Sequence, residues 1–382
     1  MEAAHTAAEP RVTPLELFFD LVFVFALTQV TAMLAADATW AGLVRGLLVL
    51  GALWWAWAAY AWLTNEVSGE DGRARLVVFV AMAAMILVAL AVPEAFDAHA
   101  LLFALAYAVV RIAHLALFWV AVEDEAVHGA VIRLLPTATV GPAVLVVAAF
   151  ADGALQGLLW ATALAIDYGG PYVRGVSGWR VHAAHFAERF GLIVIIALGE
   201  SIVAIGIGAA DEPITLRLGV AAVLGVAAVC ALWWAYFDVV AVVAERKLTE
   251  AQGDERTAMA RDSYAYLHLP MIAGIVLFAL GLKSTLAHLD EPLEAVPVAG
   301  LCGGVALYLV AHVLFRLRNV RTLNRPRIVT ATLAVATVPF ALEADALAAL
   351  AVVTALCGAL IVYEAIRYRE ARARVRLALS RR

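Results

Sequence analysis

Long apolar runs separated by short polar connections fill most of this chain. Each run is close to the roughly 20 residues that an α-helix needs to cross the hydrocarbon core of a bilayer. The runs are continuous and rich in Ala, Leu and Val rather than alternating, which favours helices over barrel strands. We therefore predict an all-α, polytopic transmembrane bundle of about twelve spans, at residues 15–36, 41–63, 75–93, 99–122, 131–150, 153–168, 187–209, 216–241, 263–285, 295–316, 327–342 and 344–366.

The composition agrees with an integral membrane protein. Of 382 residues, 64% are hydrophobic and 15% are charged, whereas a soluble chain is typically about 45–50% apolar and about 25% charged. The net charge of −5 gives no reason to expect nucleic-acid binding. The three cysteines fall inside apolar runs without paired spacing, which argues against a disulfide framework and against a zinc site.

The distribution of basic residues predicts the orientation. With the N-terminus inside, 23 of the 27 Lys and Arg residues fall on the inner side, and Arg45, Arg217 and Lys283 fall on the outer side. Arg111 lies within the fourth span. This bias follows the positive-inside rule, so we expect a multi-pass protein of the bacterial cytoplasmic (inner) membrane with both termini in the cytoplasm.

Two arginine-rich stretches, at residues 316–327 and 367–382, lie on this predicted inner side. We expect them to rest against anionic lipid headgroups. A regulatory binding tail at 367–382 is the alternative. At the other terminus, residues 1–14 are predicted to form a short cytoplasmic tail.

The first and seventh spans are similar to each other. Residues 19–29 align without a gap on residues 190–200, which places Gln29 opposite Glu200. The Ala-Leu-Trp-Trp sequence of the second span recurs in the eighth, and weaker matches follow in order through the remaining four pairs. This succession predicts an internal repeat.

The repeat defines the predicted domain organisation. A first six-helix unit at 15–168 and a second at 187–366 are joined by a cytoplasmic linker at 169–186. Six spans per unit is an even number, so the two units are parallel and related by an axis along the membrane normal. Parallel repeats are typical of secondary transporters. A duplication that merely builds a larger bundle remains the alternative.

The motifs 16-ELFFDLVFVFALTQV-30 and 185-HFAERFGLIVIIALGESIVA-204 resemble those of the bacterial low temperature requirement A (LtrA) family. The similarity extends over nearly the whole chain. The family pattern is intact at Glu16, Phe18, Phe19, Asp20, His185, Glu188, Arg189, Gly199, Glu200 and Ser201. The resemblance implies the fold and this set of residues. The family name records a growth phenotype and implies no substrate or reaction.

Glu200 is the principal candidate for a functional group. It lies deep in the seventh span, and a charge at that depth costs a few kcal/mol, so an acid there indicates a functional site. Neighbouring small residues, Ser201 among them, predict that it faces the protein interior. We expect Arg111, at a similar depth, to be its counter-charge. The pair is then either a structural ion pair or a protonatable or cation-binding acid whose charge Arg111 influences.

Polar residues also occur at the inner ends of the first and seventh spans. Glu16 and Asp20 are four residues apart and share a helix face. Stabilisation of carboxylates by the helix N-terminus explains Glu16 well and Asp20 less well. His185, Glu188 and Arg189 form a second polar cluster at the start of the seventh span. We expect Asp20 and Arg189 to belong to an inner access route.

The remaining candidates are histidines and one further acid. His114 and His312 occupy equivalent positions in the two halves, which suits a proton relay or, alternatively, hydrogen-bonded packing. Asp238 and His268 lie near the inner ends of the eighth and ninth spans. Together with Asp20 they are predicted to line a vestibule open to the cytoplasm, with plain interfacial placement as the alternative.

The sequence favours a secondary transporter or an ion- or proton-conducting protein with Glu200 at its centre and Gln29 as the pseudo-symmetric partner. Two alternatives remain, a membrane sensor or envelope-adaptation factor and an intramembrane enzyme that acts on a lipid. Because no metal, nucleotide or nucleophile motif occurs, we expect no enzymatic activity, no metal and no cofactor. The expected partners are the lipid bilayer and a small solute, proton or cation.

Overall fold

The computed structural model describes residues 11–66, 72–122 and 124–370, and all regular secondary structure in these residues is helical. Most of the predicted N-terminal tail (1–14) and of the basic tail (367–382) lies outside the described residues. The helices are α1 (Pro14–Ala36), α2 (Trp40–Glu66), α3 (Gly72–Ala91), α4 (Ala100–Ala121), α5 (Glu125–Ala148), α6 (Gly153–Val173), α7 (Ala183–Gly208), α8 (Leu216–Phe237), α9 (Val240–Glu250), α10 (Gly253–Met259), α11 (His268–Ala287), α12 (Ala295–Val298), α13 (Gly304–Val320), α14 (Arg325–Ala336), α15 (Val338–Ala341) and α16 (Ala346–Arg367). Two π-helical segments, Ala260–Tyr266 and Ala299–Gly303, lead into α11 and α13.

Ten helical segments of the described residues are long and apolar enough to cross a membrane. They include the continuous segments Leu216–Glu250 and Gly253–Ala287, in which short helices extend α8 and α11. The other two predicted spans correspond to α6, which carries Gln156 and Asp167 in its length, and to α14 with α15. The polytopic helical bundle predicted from the sequence is thus confirmed, with ten segments rather than twelve meeting this standard.

The outer surface of the bundle is apolar, as a bilayer requires. On α4, for example, Leu105 and Ile112 are exposed, whereas Phe103 and Tyr107 on the opposite side are buried. Exposed aliphatic side chains of this kind occur on nearly every long helix. Because lipid tails are as apolar as these side chains, such a surface is stable only in contact with lipid.

The helices pack in the same order in the two halves of the chain. In the first half the neighbours form a ring α1–α3–α4–α5–α6–α2, which closes on α1. In the second half the corresponding ring is α7–α11–α13–α14–α16–α8, which closes on α7. A duplicated six-helix unit would produce this agreement. The internal repeat and its domain boundaries nevertheless stay a prediction.

The two halves meet where α1 and α2 pack against α7 and α11. α1 and α7 run in the same direction, because Glu16 contacts His185 near their starts and Thr28 contacts Glu200 further along. We call the end where α1 and α7 begin the proximal end, and the opposite end the distal end. The contact between α1 and α7 is the α1–α7 seam.

Close packing within the second half depends on a pair of glycines. A Cβ atom on Gly274 of α11 would lie 2.7 Å from the carbonyl oxygen of Gly304 on α13, and one on Gly304 would lie 2.6 Å from that of Gly274. Small residues permit such close backbone approach in membrane bundles. In α7, Gly208 has this role against α11, whereas Gly199 and Gly206 have no neighbour within 4 Å of the added atom.

Candidate functional site

Four ionisable side chains join the proximal ends of α1 and α7. His185 Nε2 lies 3.1 Å from Glu16 Oε1, and Arg189 Nη1 and Nη2 each donate to an oxygen of Asp20 at 2.9 Å. Both partners on each helix are four residues apart, so the two pairs stack in register along neighbouring helix faces. We call these four residues the proximal tetrad. Glu16 and Asp20 come from the first sequence motif, and His185 and Arg189 come from the second.

The proximal tetrad is buried and densely bonded. Arg189 is fully buried and Asp20 is 1% exposed. Trp57 on α2 donates its indole N–H to Asp20 Oδ1 at 2.9 Å, and the Arg189 guanidinium lies 5.7 Å from the centroid of the Trp57 ring. Asp20 therefore has a bidentate counter-charge and a third donor, which is the geometry that makes buried ion pairs tolerable.

Glu16 has a second role that its sequence position predicts. Thr13, Pro14 and Glu16 form the start of α1, in which the Thr13 backbone N–H donates to Glu16 Oε2 at 2.7 Å. In return the Glu16 N–H donates to the Thr13 hydroxyl at 3.3 Å. This capping box satisfies helix N–H groups that lack intrahelical partners. Glu16 therefore both caps α1 and connects it to α7.

Glu200 lies on the same seam but in a different environment. It is 2% exposed, and its Oε2 accepts a hydrogen bond of 2.6 Å from the hydroxyl of Thr28 on α1. Thr31 and Lys283 are also close enough to interact with the carboxyl group. Within the described residues no arginine or lysine forms a direct ion pair with it. The predicted interior position of Glu200 is confirmed, and its donor is a neutral hydroxyl.

Gln29 and Ser201, which the sequence groups with Glu200, make no hydrogen bond to it within the described residues. Gln29 is half-buried, and its neighbour Thr28 rather than Gln29 itself makes the contact with Glu200. Ser201 is fully buried, and its hydroxyl has no partner among the described residues. Gln29 was predicted as the pseudo-symmetric partner of Glu200 in the internal repeat, and this stays a prediction.

Arg111 is not the counter-charge of Glu200, so the predicted pairing of these two residues was wrong. Its Nη2 lies 3.2 Å from Asp167 Oδ1 on α6, and the other carboxylate oxygen of Asp167 accepts a bond of 3.2 Å from Tyr107. In the ring order of the first half, α4 lies between α3 and α5, whereas α7, which carries Glu200, belongs to the ring of the second half. Asp167 was missed because it falls in the least apolar of the twelve predicted spans.

The two equivalent histidines belong to different networks. His114 Nε2 lies 3.0 Å from the carbonyl oxygen of Ala59 on α2. His312 Nδ1 lies 2.8 Å from Arg327 Nη1, and Arg327 makes two bonds of 2.9 Å to Glu364. Neither histidine contacts Glu200. These contacts give both histidines hydrogen-bonded positions between packed helices.

The pair Arg327–Glu364 was not predicted from the sequence. Arg327 is the last residue of an arginine-rich stretch that was expected to lie against lipid headgroups. It is instead 4% exposed, since α14 packs against α13 and α16. Asn324, which caps α14, donates to the same carboxylate at 2.9 Å. A Glu two residues before the end of the predicted apolar span 344–366 was the only signal available.

A cavity of about 520 Å³ opens at the proximal end between α7, α8 and α9. Its polar lining comes from Arg11, Glu188, Tyr236, Glu245 and Tyr264. The sequence predicted a vestibule lined by Asp20, Asp238 and His268. None of these three residues lines the cavity.

Those predicted lining residues lie behind or beside the cavity wall. His268 is fully buried and bonds the Tyr236 hydroxyl at 2.8 Å. Asp20 is enclosed in the proximal tetrad, and Asp238 at the end of α8 is half-buried. Glu188 alone among the predicted residues faces the cavity, where its carboxylate accepts from the Val12 N–H at 3.3 Å.

The fold and these buried acids define a polytopic α-helical membrane protein. A model of the bacterial low temperature requirement A protein (LtrA) family matches residues 11–362, and the chain belongs to this family. An uncharacterized protein of Rhizobium meliloti (strain 1021) is 33% identical over 284 residues, which cover 72% of this chain and 69% of that protein. The family match includes the proximal tetrad and Glu200, and it confirms the resemblance predicted from the two motifs.

Proposed function

We propose that the protein is a secondary transporter or ion-conducting protein in which Glu200 takes up and releases a proton or a small cation. One observation carries the proposal: the buried carboxyl group of Glu200 receives its hydrogen bond from a hydroxyl rather than from a cation. No covalent catalysis and no cofactor are assigned to the site.

The physical reason lies in the cost of burying charge. A carboxylate removed from water needs a compensating charge and hydrogen bonds, or it takes up a proton. Asp20 and Asp167 have arginine partners within 3.2 Å, so each is compensated by the protein itself. Glu200 has a threonine hydroxyl and a more distant lysine. A bound proton or cation would supply the compensating positive charge that the protein does not place beside Glu200.

The position of Glu200 supports coupling to movement. Its donor Thr28 belongs to the first half of the chain and Glu200 to the second, so relative motion of the halves makes or breaks the bond between them. A ligand shifts such an equilibrium by the difference in its affinity for the two arrangements. Occupancy of Glu200 would thereby bias the halves, as in transporters with sites at a repeat interface.

Access to Glu200 is shorter from the distal end. The residue lies eight positions before the end of α7 at Gly208, about 12 Å along the axis. Toward the proximal end, about 16 Å of apolar helix separates it from Arg189, including buried Ile193 and Ala197. We therefore expect a proton or cation to reach Glu200 from the distal side.

The proposal is tested with purified protein in liposomes that contain a pH-sensitive dye, under imposed proton and cation gradients. We expect flux in the wild type and its loss in Glu200→Gln, a variant that keeps the shape of the side chain. Glu212→Gln is the matched control, because Glu212 is an exposed acid just beyond α7. Equal flux in wild type and Glu200→Gln, or no flux in either with intact folding, would overturn the proposal.

A further inference from the structure

A second cavity lies between helices of the first half of the chain and residues 257–265 of the second half, and Glu200 is not part of its lining. It measures about 90 Å³ and is enclosed mainly by α2, α4, α5 and the end of α6. Four aromatic side chains line it: Trp55, Trp62, Phe118 and Trp179. Trp179 contacts two of the other rings, with centroids 5.1 Å from Phe118 and 6.1 Å from Trp62. An apolar wall with a few polar groups is typical of a small-molecule site.

One polar group in the lining is an unfilled donor. Arg111 lines the cavity and is 5% exposed, and its Nε has no hydrogen-bond partner among the described residues. Its positive charge is already compensated by Asp167 at 3.2 Å. Arg111 therefore offers an N–H donor without offering an uncompensated charge.

The neighbouring polar group is an unfilled acceptor. His114 follows Arg111 by three residues, so both side chains lie on one face of α4. His114 Nε2 lies 3.0 Å from the carbonyl oxygen of Ala59, and because a carbonyl oxygen only accepts, Nε2 carries the hydrogen. In the neutral imidazole the other nitrogen, Nδ1, then accepts. Nδ1 is buried and unpartnered within the described part of the chain.

The other cation in the lining is occupied. Arg261 bonds the Asp262 carboxylate at 2.7 Å, donates to the carbonyl oxygen of Pro171 at 3.2 Å and lies 4.2 Å from the centroid of the Tyr172 ring. Within the described residues, the cavity thus presents an N–H donor on Arg111, an acceptor on His114 and arginines whose charges are compensated. This chemistry matches a neutral group rather than an anion.

We propose that this cavity binds a small neutral alcohol or phenol. The hydroxyl oxygen accepts from Arg111 Nε–H, the hydroxyl hydrogen is donated to His114 Nδ1, and the apolar body lies among the aromatic rings. A hydroxyl is the smallest group that both accepts and donates at one atom. The volume exceeds that of a single water site, for which about 10–15 Å³ suffices. The site is distinct from Glu200 and does not depend on the function proposed for it.

The test uses three probes of similar shape: phenol, its methyl ether anisole, and toluene. Tryptophan fluorescence of the full chain in lipid nanodiscs reports binding, since three tryptophans line the cavity. The saturable part of the signal is separated from the linear part that arises from partition into lipid. We expect phenol to bind about tenfold more tightly than toluene, because a net hydrogen bond contributes about 0.5–1.5 kcal/mol. Anisole, which lacks the donor, is expected to fall between them.

Two variants and one control localise the effect. Ala138→Leu fills the cavity and is expected to abolish saturable binding of all three probes. His114→Phe keeps a ring but removes the acceptor, so phenol should lose its advantage over anisole. Ala143→Leu, at an exposed position on the same helix as Ala138, should bind phenol like the wild type.

Three results would overturn the inference. Absence of saturable phenol binding in the wild type would mean that the cavity holds water alone. Equal affinity for phenol and toluene would remove the role of the two nitrogens. Unchanged binding in Ala138→Leu would place the phenol elsewhere on the protein.

Discussion

Two buried acids on the α1–α7 seam, Asp20 and Glu200, meet opposite conditions. Asp20 is held by two bonds of 2.9 Å from Arg189 and a third from Trp57. Glu200 receives one bond of 2.6 Å from Thr28. The charge of the first carboxylate is compensated by the protein, whereas the second has a neutral hydroxyl as its donor. Burial by itself therefore does not indicate function, and the donors that surround a buried acid do.

The same contrast assigns different mechanical roles to the two ends of the seam. Separating the proximal ends of α1 and α7 would break the Asp20–Arg189 ion pair and the contact between Glu16 and His185. Loss of a buried ion pair is costly in a low-dielectric interior. Separating the distal ends would break a bond between a hydroxyl and a carboxyl group. We expect the proximal ends to stay together while the distal ends move.

The largest effect is expected at the proximal tetrad. Asp20→Asn should lower the free energy of unfolding by about 3–5 kcal/mol, because it leaves the Arg189 charge buried without a partner. Chemical unfolding in detergent measures the change. The double variant Asp20→Asn/Arg189→Met should recover much of the loss. If the double variant were as unstable as the sum of both single variants, the ion pair would not be the cause.

A smaller loss is expected for Glu16→Gln. The amide can still cap α1 but no longer offers a negative charge to His185, so we expect a loss of about 1–2 kcal/mol. The same unfolding measurement applies. Glu16→Gln combined with His185→Gln isolates the contact between the two side chains, since a loss smaller than the sum of the two single losses reports their interaction. A loss as large as that of Asp20→Asn would contradict the division of roles within the tetrad.

Removal of the donor to Glu200 should have a modest effect on stability. Thr28→Val keeps the shape of the side chain but deletes its hydroxyl, at a cost of about 0.5–1 kcal/mol. Thr28→Ser retains the hydroxyl and should behave like the wild type. We also expect altered flux in Thr28→Val and not in Thr28→Ser. Identical flux in both variants would show that this bond is not part of the conducting site.

The smallest change in stability is expected for Glu200→Gln, which removes a buried charge without leaving a cation unpaired. We expect the free energy of unfolding to change by less than about 1 kcal/mol. Flux should nevertheless be lost, as described for the liposome experiment. A loss of 3 kcal/mol or more would place Glu200 beside Asp20 as a structural residue, and the contrast between the two acids would disappear.

Much of the architecture could be predicted because it depends on local pattern. Most helix boundaries agree with the predicted spans to within six residues, and α5 begins at Glu125 rather than at 131. A larger difference occurs at α13, which begins at Gly304 within the predicted span 295–316. Long apolar runs determine membrane helices almost by themselves, since every backbone group must be satisfied within the segment. The i, i+4 spacing of the motif residues likewise placed Glu16 and Asp20 on one face.

The pairing of charges could not be predicted in the same way. Arg111 was matched to Glu200 by depth alone, and depth does not specify which helices are neighbours. The pairs Arg111–Asp167 and Arg327–Glu364 join residues that are 56 and 37 positions apart in the chain and lie on different helices.

The sequence by itself determined the class of protein, the helical segments, and the two motif-bearing helices that carry the buried acids. These follow from hydrophobic length and helical periodicity, which are properties of the chain over one or two turns. Only the tertiary structure decided which acid is compensated and which is not. That distinction depends on side chains that come together from helices far apart in the chain. The distance between a carboxylate and a guanidinium decides whether the protein compensates the negative charge.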